Sequence, residues 1–316
     1  LKLSSLAAPA AGLDLVRGAM GAIRAIPDVR PPDCLVKIYA ICLIKNEGDV
    51  IADCLVHALT FCDRIFVLDN GSTDGTWETV NALAKQYPAI VIEEQLLVPF
   101  RDGMRSVVYN KYNHELGDRD WWLRLDGDEF LEGDPRQVLA KANREKADFV
   151  TAWNLQFYYT DADYKNWASE KLETNRPITE RRLYYSANWR EYRFFRNQPD
   201  QPWNEALAPQ WPDGLTKACS QRLYNRHYPY RTPDQIKEKL QARFGHEQFR
   251  HINSVDWTSK LLPARQLNHF QEGQPPTINK FDYYAKRLRM IRITLMGRIR
   301  AILRRLQGGH RTSHTS

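Results

Sequence analysis

Between residues 36 and 130 the chain alternates short apolar runs with amphipathic ones. Val36–Ile44 (VKIYAICLI) is apolar and stops at the polar Lys45-Asn46-Glu47-Gly48, the pattern of a buried strand. Val50–Leu59 then carries its apolar residues at helical spacing. Arg64–Leu68 (RIFVL) predicts a second strand, closing at Asp69-Asn70-Gly71-Ser72-Thr73-Asp74-Gly75. A helix over Thr76–Lys85, a strand over Ala89–Ile92 and a helical stretch from about Gly103 to Leu116 follow. The aromatic-rich run from Trp121 to Leu125 predicts a fourth strand and ends in Asp126-Gly127-Asp128-Glu129-Phe130. Strands alternating with helices predict an α/β domain with parallel strand pairing and helices on both sheet faces. Ligands bind such sheets beyond the carboxyl ends of the strands, and the polar clusters after strands one, two and four all fall on that edge.

Both ends of the chain read differently. In residues 1–33, Leu13, Val16, Met20, Ile23 and Ile26 repeat at helical spacing until Pro27, Pro31 and Pro32 break the pattern, giving an N-terminal amphipathic appendage. In residues 271–316, Leu288, Ile291, Leu295, Ile299, Ile302 and Leu306 mark a second amphipathic helix. From Tyr283 onward there are nine Lys or Arg and no Asp or Glu, so the formal +7 of the chain becomes −2 without this tail. A basic amphipathic helix suits an anionic membrane surface, and equally suits packing on its own domain. The near-neutral body lacks the broad basic face of a nucleic-acid binder. No run reaches the roughly 18 apolar residues of a membrane span, and Asp14 interrupts the apolar region Leu6–Val16 that could pass for a signal peptide. Five cysteines with no C-x-x-C pair, four of them in or near apolar runs, read as buried thiols in a reducing compartment.

The cluster after strand four carries the strongest chemistry. Three carboxylates in four residues at the end of a buried run need compensation, because unpaired buried charge is expensive. Asp126 and Asp128 stand two apart, so extended backbone would aim them to one side, with Gly127 leaving room for a ligand. Oxygen ligands suit Mg2+ or Mn2+ bridged to substrate phosphates. In the cluster after strand two, Asp69 and Asn70 are able to hydrogen-bond a base or ribose, and the same residues also make an ordinary turn. No G-x-G-x-x-G and no P-loop occurs.

Lys45-Asn46-Glu47, then Leu68-Asp69-Asn70-Gly71-Ser72-Thr73-Asp74-Gly75-Thr76, then Leu125-Asp126-Gly127-Asp128-Glu129-Phe130 together resemble family-2 glycosyltransferases of the GT-A fold, in the branch with K-N-E and D-x-D-E-F motifs. The resemblance covers residues 36 to 140 strongly and continues through His227-Tyr228-Pro229-Tyr230-Arg231-Thr232-Pro233. It implies a GT-A domain over 34–270, with a nucleotide- and metal-binding half at 34–140 and an acceptor half at 141–270. Asn46, Glu47, Asp69 and Asn70 would then face the nucleoside, and Asp126 and Asp128 would hold Mn2+ or Mg2+ on the donor diphosphate. His227 would complete the coordination or bind the diphosphate, with Arg231 a diphosphate partner. Asn70 stands where the family's paired-aspartate pattern has its second acid.

An inverting transfer also needs a general base, for which Glu205 is the first choice and Glu191 the second. The implied activity is metal-dependent, inverting transfer of a sugar from a nucleotide-diphosphate donor, UDP-sugar favoured, to a glycan or lipid-linked acceptor. The basic tail suggests cytoplasmic work at the membrane face, as in polysaccharide biosynthesis. A sugar nucleotidyltransferase, or a non-catalytic scaffold holding partners or membrane, would share the sheet. The first normally needs a Gly-rich basic loop where Lys45-Asn46-Glu47-Gly48 is short and acidic.

Overall fold

The computed structural model describes residues 36–166, 176–208, 210–245, 249 and 252–285. The N-terminal appendage, the helix expected over Leu288–Leu306 and Cys34 lie outside these residues. Most of the alternating runs become the elements that their spacing predicts. They are β1 (Ile38–Ile44), α1 (Ile51–Ala58), β2 (Arg64–Asp69), α2 (Thr76–Gln86) and β3 (Ile90–Gln95). The helical stretch expected from about Gly103 to Leu116 consists of a 3-10 turn (Asp102–Arg105), α3 (Ser106–Tyr112) and a second 3-10 turn (Asn113–Glu115). The tighter first turn eclipses residues three apart, which brings Arg105 onto Asp102 at 3.2 Å.

The chain continues through β4 (Trp121–Asp126), β5 (Glu129–Leu131), α4 (Arg136–Glu145), β6 (Phe149–Phe157), α5 (Asp161–Lys165) and α6 (Ile178–Arg181). Then come β7 (Tyr184–Arg196), β8 (Leu223–His227), α7 (Pro233–Arg243) and the short β9 (Asn268–His269). The strands join in one sheet of order β3-β2-β1-β4-β7-β6-β8-β5, with β9 on β7. The first four are mutually parallel, as the alternation predicts. Beyond them β7 runs antiparallel to β4 and β6, β8 parallel to β6, and β5 antiparallel to β8. Only Gly127 and Asp128 separate β4 from β5, yet three strands stand between them in the pairing order. The sheet must therefore curl until β5 returns beside β4, and the residues of that turn sit where the curl closes.

Period-two alternation in β1 divides the core. Ile38, Ala40, Cys42 and Ile44 pack with Leu55, Val80 and Leu139. Tyr39, Ile41 and Leu43 pack with Met104, Val108, Tyr109 and Trp122. A third cluster of Tyr159, Ile236, Leu240 and Ile252 docks α7 against the segment that follows β6. Cys42, Cys54, Cys62 and Cys219 are free and buried. Among the described residues, no helix is long and apolar enough to cross a membrane.

Candidate active site

Two loops at the carboxyl edge of the sheet are sewn together by the residues that made their sequences distinctive. Asn46 takes a left-handed φ of 54°; its backbone N–H donates to Ser72 Oγ at 2.9 Å and its side-chain oxygen accepts from Thr73 N at 2.9 Å. The Glu47 and Gly48 amides donate to Thr76 Oγ1 and Asp74 Oδ2, at 2.9 and 3.0 Å. Asp69 Oδ1 accepts from the amides of Gly71 and Ser72, at 2.7 and 2.8 Å, while its buried Oδ2 has no hydrogen-bond partner. Asn70 spends both amide hydrogens on the carbonyls of Leu96 and Val98, at 2.6 and 2.8 Å. An aspartate has no hydrogen to offer these carbonyls, which gives a structural reason for Asn at this position.

The turn between β4 and β5 corrects the sequence reading in two ways. Its backbone turns at Gly127 and Asp128 rather than continuing extended, so the two aspartates diverge. Gly127 does line the cavity described below. A Cβ there would nevertheless meet Ile44 at 3.0 Å, Ile51 at 3.1 Å and Glu47 at 3.3 Å, so its small size serves packing of the turn on β1 and α1. The Cys54 thiol contacts the carbonyls of Asp126 and Glu129 from beneath, at 3.5 and 3.4 Å.

Asp126 is gripped by Arg105, with Arg193 at 3.6 Å. Burial works to raise its pKa, but Arg105, Arg124 and Arg193 hold it at about 2. Asp128 faces the other way. Its Oδ2 lies 3.1 Å from Lys239 Nζ and 3.5 Å from Arg231, and its Oδ1 lies 3.4 Å from His227 Nε2. Against the cost of burial, Lys239, His227 and Arg231 hold the Asp128 carboxyl well below its usual range. The β5–β8 register sets Glu129 opposite His227. Arg193 pairs with Glu129 at 2.5 Å and also with Glu191, and burial pushes the Glu129 carboxyl up to about 8. The network as a whole sets seven carboxylates (Glu47, Asp49, Asp102, Asp126, Asp128, Glu129, Glu191) against five cations (Arg105, Arg124, Arg193, Arg231, Lys239).

These groups border a cavity of about 470 Å³, within the usual range of ligand pockets. Asn46, Glu47, Asn70, Asp126, Asp128 and His227 line it, as do Glu191 and Lys239. Three of the expected residues do not. Asp69 is fully buried at the end of β2. Arg231 is fully buried as well, with both Asp49 oxygens at 2.7 and 2.8 Å, Glu47 at 2.6 Å and the Tyr228 carbonyl at 2.9 Å occupying its guanidinium. It therefore has no edge to turn toward a diphosphate and acts as the counter-ion of three carboxylates. Glu205 pairs with Arg101 at 2.6 Å and packs on the Gly103 backbone, where a Cβ would lie 2.2 Å from Glu205 Cγ.

Among the described residues, no three His, Cys, Asp or Glu side chains converge to hold a metal alone. Two of them still fit a divalent cation that completes its shell with substrate oxygens and water. Ligand atoms about 2.1 Å from an ion and at right angles lie about 3 Å apart, close to the 3.4 Å between Asp128 Oδ1 and His227 Nε2. Burial lowers the His227 pKa, but Asp128, Glu129 and Glu191 outweigh it and leave it raised.

Sequence reasoning missed Asp49, Arg105, Arg193 and Lys239 as members of this network. Apart from the Arg105–Asp102 and Arg193–Glu191 pairs, three and two positions apart, their partners are distant in sequence, and Lys239 carries a further local signal, three residues after Ile236 and four after Gln235 on the inward face of α7.

The family model for glycosyl transferase family 2 matches residues 40–204, and no curated protein sequence matches the chain. Among solved structures the chain is similar to S. aureus TarS 1-349, at 13% identity and a TM-score of 0.39, covering 70% of this chain and 69% of that one. It is also similar to the mannosyltransferase PcManGT from Pyrobaculum calidifontis in complex with GDP-Man and Mn2+, at 15% identity and a TM-score of 0.37, covering 74% and 68%. A third is GalNAc-T7 with UDP, GalNAc and Mn2+, at 12% identity and a TM-score of 0.37, covering 70% and 51%. The matched residues span just over half of the chain and contain β1 from Ala40, both sewn loops, the β4–β5 turn and all of β7; the chain belongs to glycosyl transferase family 2 and is a glycosyltransferase of the GT-A fold.

Proposed function

We propose that this glycosyltransferase is metal-dependent and inverting, and that it moves a sugar from a UDP-sugar to a glycan or lipid-linked acceptor. The observation that carries the reading is the Asp128–His227 pair on a cavity that Asn46, Asn70 and Glu191 also line. Asp128 and His227 would hold Mn2+ or Mg2+, and such a cation would offset the charge that develops on the departing nucleoside diphosphate. Asp126, kept ionised by its arginines, adds negative charge beside that position. The uridine preference rests on the family resemblance, because Asp69 is buried outside the cavity lining with one oxygen on backbone amides.

For the base that deprotonates the acceptor hydroxyl, Glu191 replaces Glu205. Its carboxylate lines the cavity, accepts from Trp189 Nε1 at 2.8 Å, and is kept ionised by Arg193 and His227 against the cost of burial. The basic C-terminal segment supports work at an anionic membrane surface, on its cytoplasmic side.

The test is a thermal-shift panel of UDP, GDP, CMP and dTDP, each with and without Mn2+. A ligand at about 100 times its dissociation constant stabilises by about 2.7 kcal/mol. UDP is expected to raise the melting temperature only with Mn2+, and Asp128→Asn to abolish the rise. Equal shifts with and without metal, or in the variant, would overturn the metal assignment, and a larger shift with another nucleotide would overturn the uridine assignment.

A further inference from the structure

Lys239 differs from the three buried arginines around the acidic turn. Arg105, Arg193 and Arg231 are each no more than 2% exposed and are held by several partners. Lys239 makes two contacts, 3.1 Å to Asp128 Oδ2 and 3.4 Å to Glu47 Oε1. Arg231 reaches both of the same carboxylates, so neither would lose its only counter-ion if the ammonium moved away. The helix beneath is firmly seated. Thr232 caps α7 by accepting from Gln235 N, Pro233 opens it, and Ile236 and Leu240 are buried on either side of Lys239. The freedom therefore lies in the four-carbon side chain, whose terminal ammonium is a compact charge able to change partners. That side chain lines the cavity beside Gln235, Glu238 and Arg243.

We infer that Lys239 is a diphosphate-binding residue of the donor site that, without ligands, sits between Asp128 and Glu47 and moves onto the diphosphate when a divalent cation takes Asp128. This rests on the donor-site reading above. An ammonium and a dication compete for the same carboxylate. The negative group that arrives with the cation is the diphosphate, for which a lysine is a competent point-charge partner. Lys239 therefore opposes metal binding when nucleotide is absent and supports nucleotide binding when metal is present.

The opposed signs make the inference testable with Lys239→Met, which keeps a similar stem and removes the charge. Mn2+ affinity of the full chain, read by electron paramagnetic resonance of the free ion, is expected to rise severalfold. Affinity for UDP with Mn2+, read by calorimetry, is expected to fall about tenfold, the value of one charge-assisted hydrogen bond. Lys239→Arg should restore most of the UDP affinity. Losses in both affinities would mark a structural lysine and overturn the inference, as would no change in either. Inorganic pyrophosphate with Mn2+ serves as a second probe that does not depend on the base. If wild-type protein binds neither UDP nor pyrophosphate in a metal-dependent way, the donor-site reading falls and this one with it.

Discussion

The two glutamates expected to compete for the role of base separate cleanly at the level of single side chains. Glu205 is committed to Arg101 and to the backbone of Gly103, whereas Glu191 borders the cavity on β7. A general base contributes about 10²- to 10⁴-fold, so Glu191→Gln should lower kcat by that order while calorimetry finds UDP–Mn2+ affinity within about threefold of wild type. Glu205→Gln should leave kcat within about threefold. A large kcat loss in Glu205→Gln with an intact Glu191 would restore the first choice.

His227 adds a pH dependence of known sign. Its pKa is raised in the folded protein, so the protonated imidazole stabilises the metal-free chain below about pH 6.5, its unfolded value. That contribution is lost as pH rises through the folded value. Metal ligation needs the neutral ring and runs the opposite way. The melting temperature gained on adding Mn2+ and UDP should thus grow with pH through and above 6.5, and in His227→Asn it should be small and flat. Legibility at this scale followed sequence proximity. Asp126 and Asp128 could be read because their chemistry lies within one turn. The commitment of Arg231 to Asp49 spans 182 positions, and that of Arg193 to Glu129 spans 64, and no local pattern records either.

Among the elements, strands were the easiest to read, because β1, β2 and β4 are buried runs with sharp polar ends. The helical stretch predicted over about Gly103–Leu116 is helical as expected, but it opens in a tighter turn in which Asp102 and Arg105 face Arg124 and Asp126. The segment D-N-G-S-T-D-G could be read as a turn or as a ligand contact, and much of its side-chain chemistry joins the loop to Lys45-Asn46-Glu47-Gly48. Asn70 extends this bracing to the segment after β3. Asn70→Asp removes two donors and sets a carboxylate against two carbonyls. At about 1 kcal/mol per lost hydrogen bond, plus the cost of leaving buried acceptors unmet, it should destabilise the protein by about 2–3 kcal/mol in denaturant melts. Faster amide hydrogen exchange across residues 96–98 should accompany that loss. If exchange there is unchanged, Asn70 does not brace the segment, and its role lies with the nucleotide.

For the whole molecule, alternating strands and helices were enough to predict the parallel half of the sheet. The curl was not predictable, because it depends on β5 pairing with β8, a contact between residues about a hundred positions apart. Charge is the other property of the whole chain. The body is formally −2 and the segment from Tyr283 holds nine basic residues, while every residue named in the donor and acceptor site precedes residue 250. Tyr283 belongs to the body, with its hydroxyl bonded to Arg190 and its ring 5.0 Å from Trp153, so a chain ending at Ala285 retains the described fold. Basic residues near an anionic surface contribute about 1 kcal/mol each and are screened within about 10 Å at 0.1 M salt. The full chain should therefore sediment with phosphatidylglycerol-containing vesicles at 0.05 M salt, release at 0.5 M, and ignore phosphatidylcholine alone. The shortened chain should lose vesicle binding and keep its UDP–Mn2+ affinity. Equal vesicle binding by the two chains would transfer membrane contact to the body, and loss of nucleotide affinity on shortening would make the tail part of the enzyme's own core.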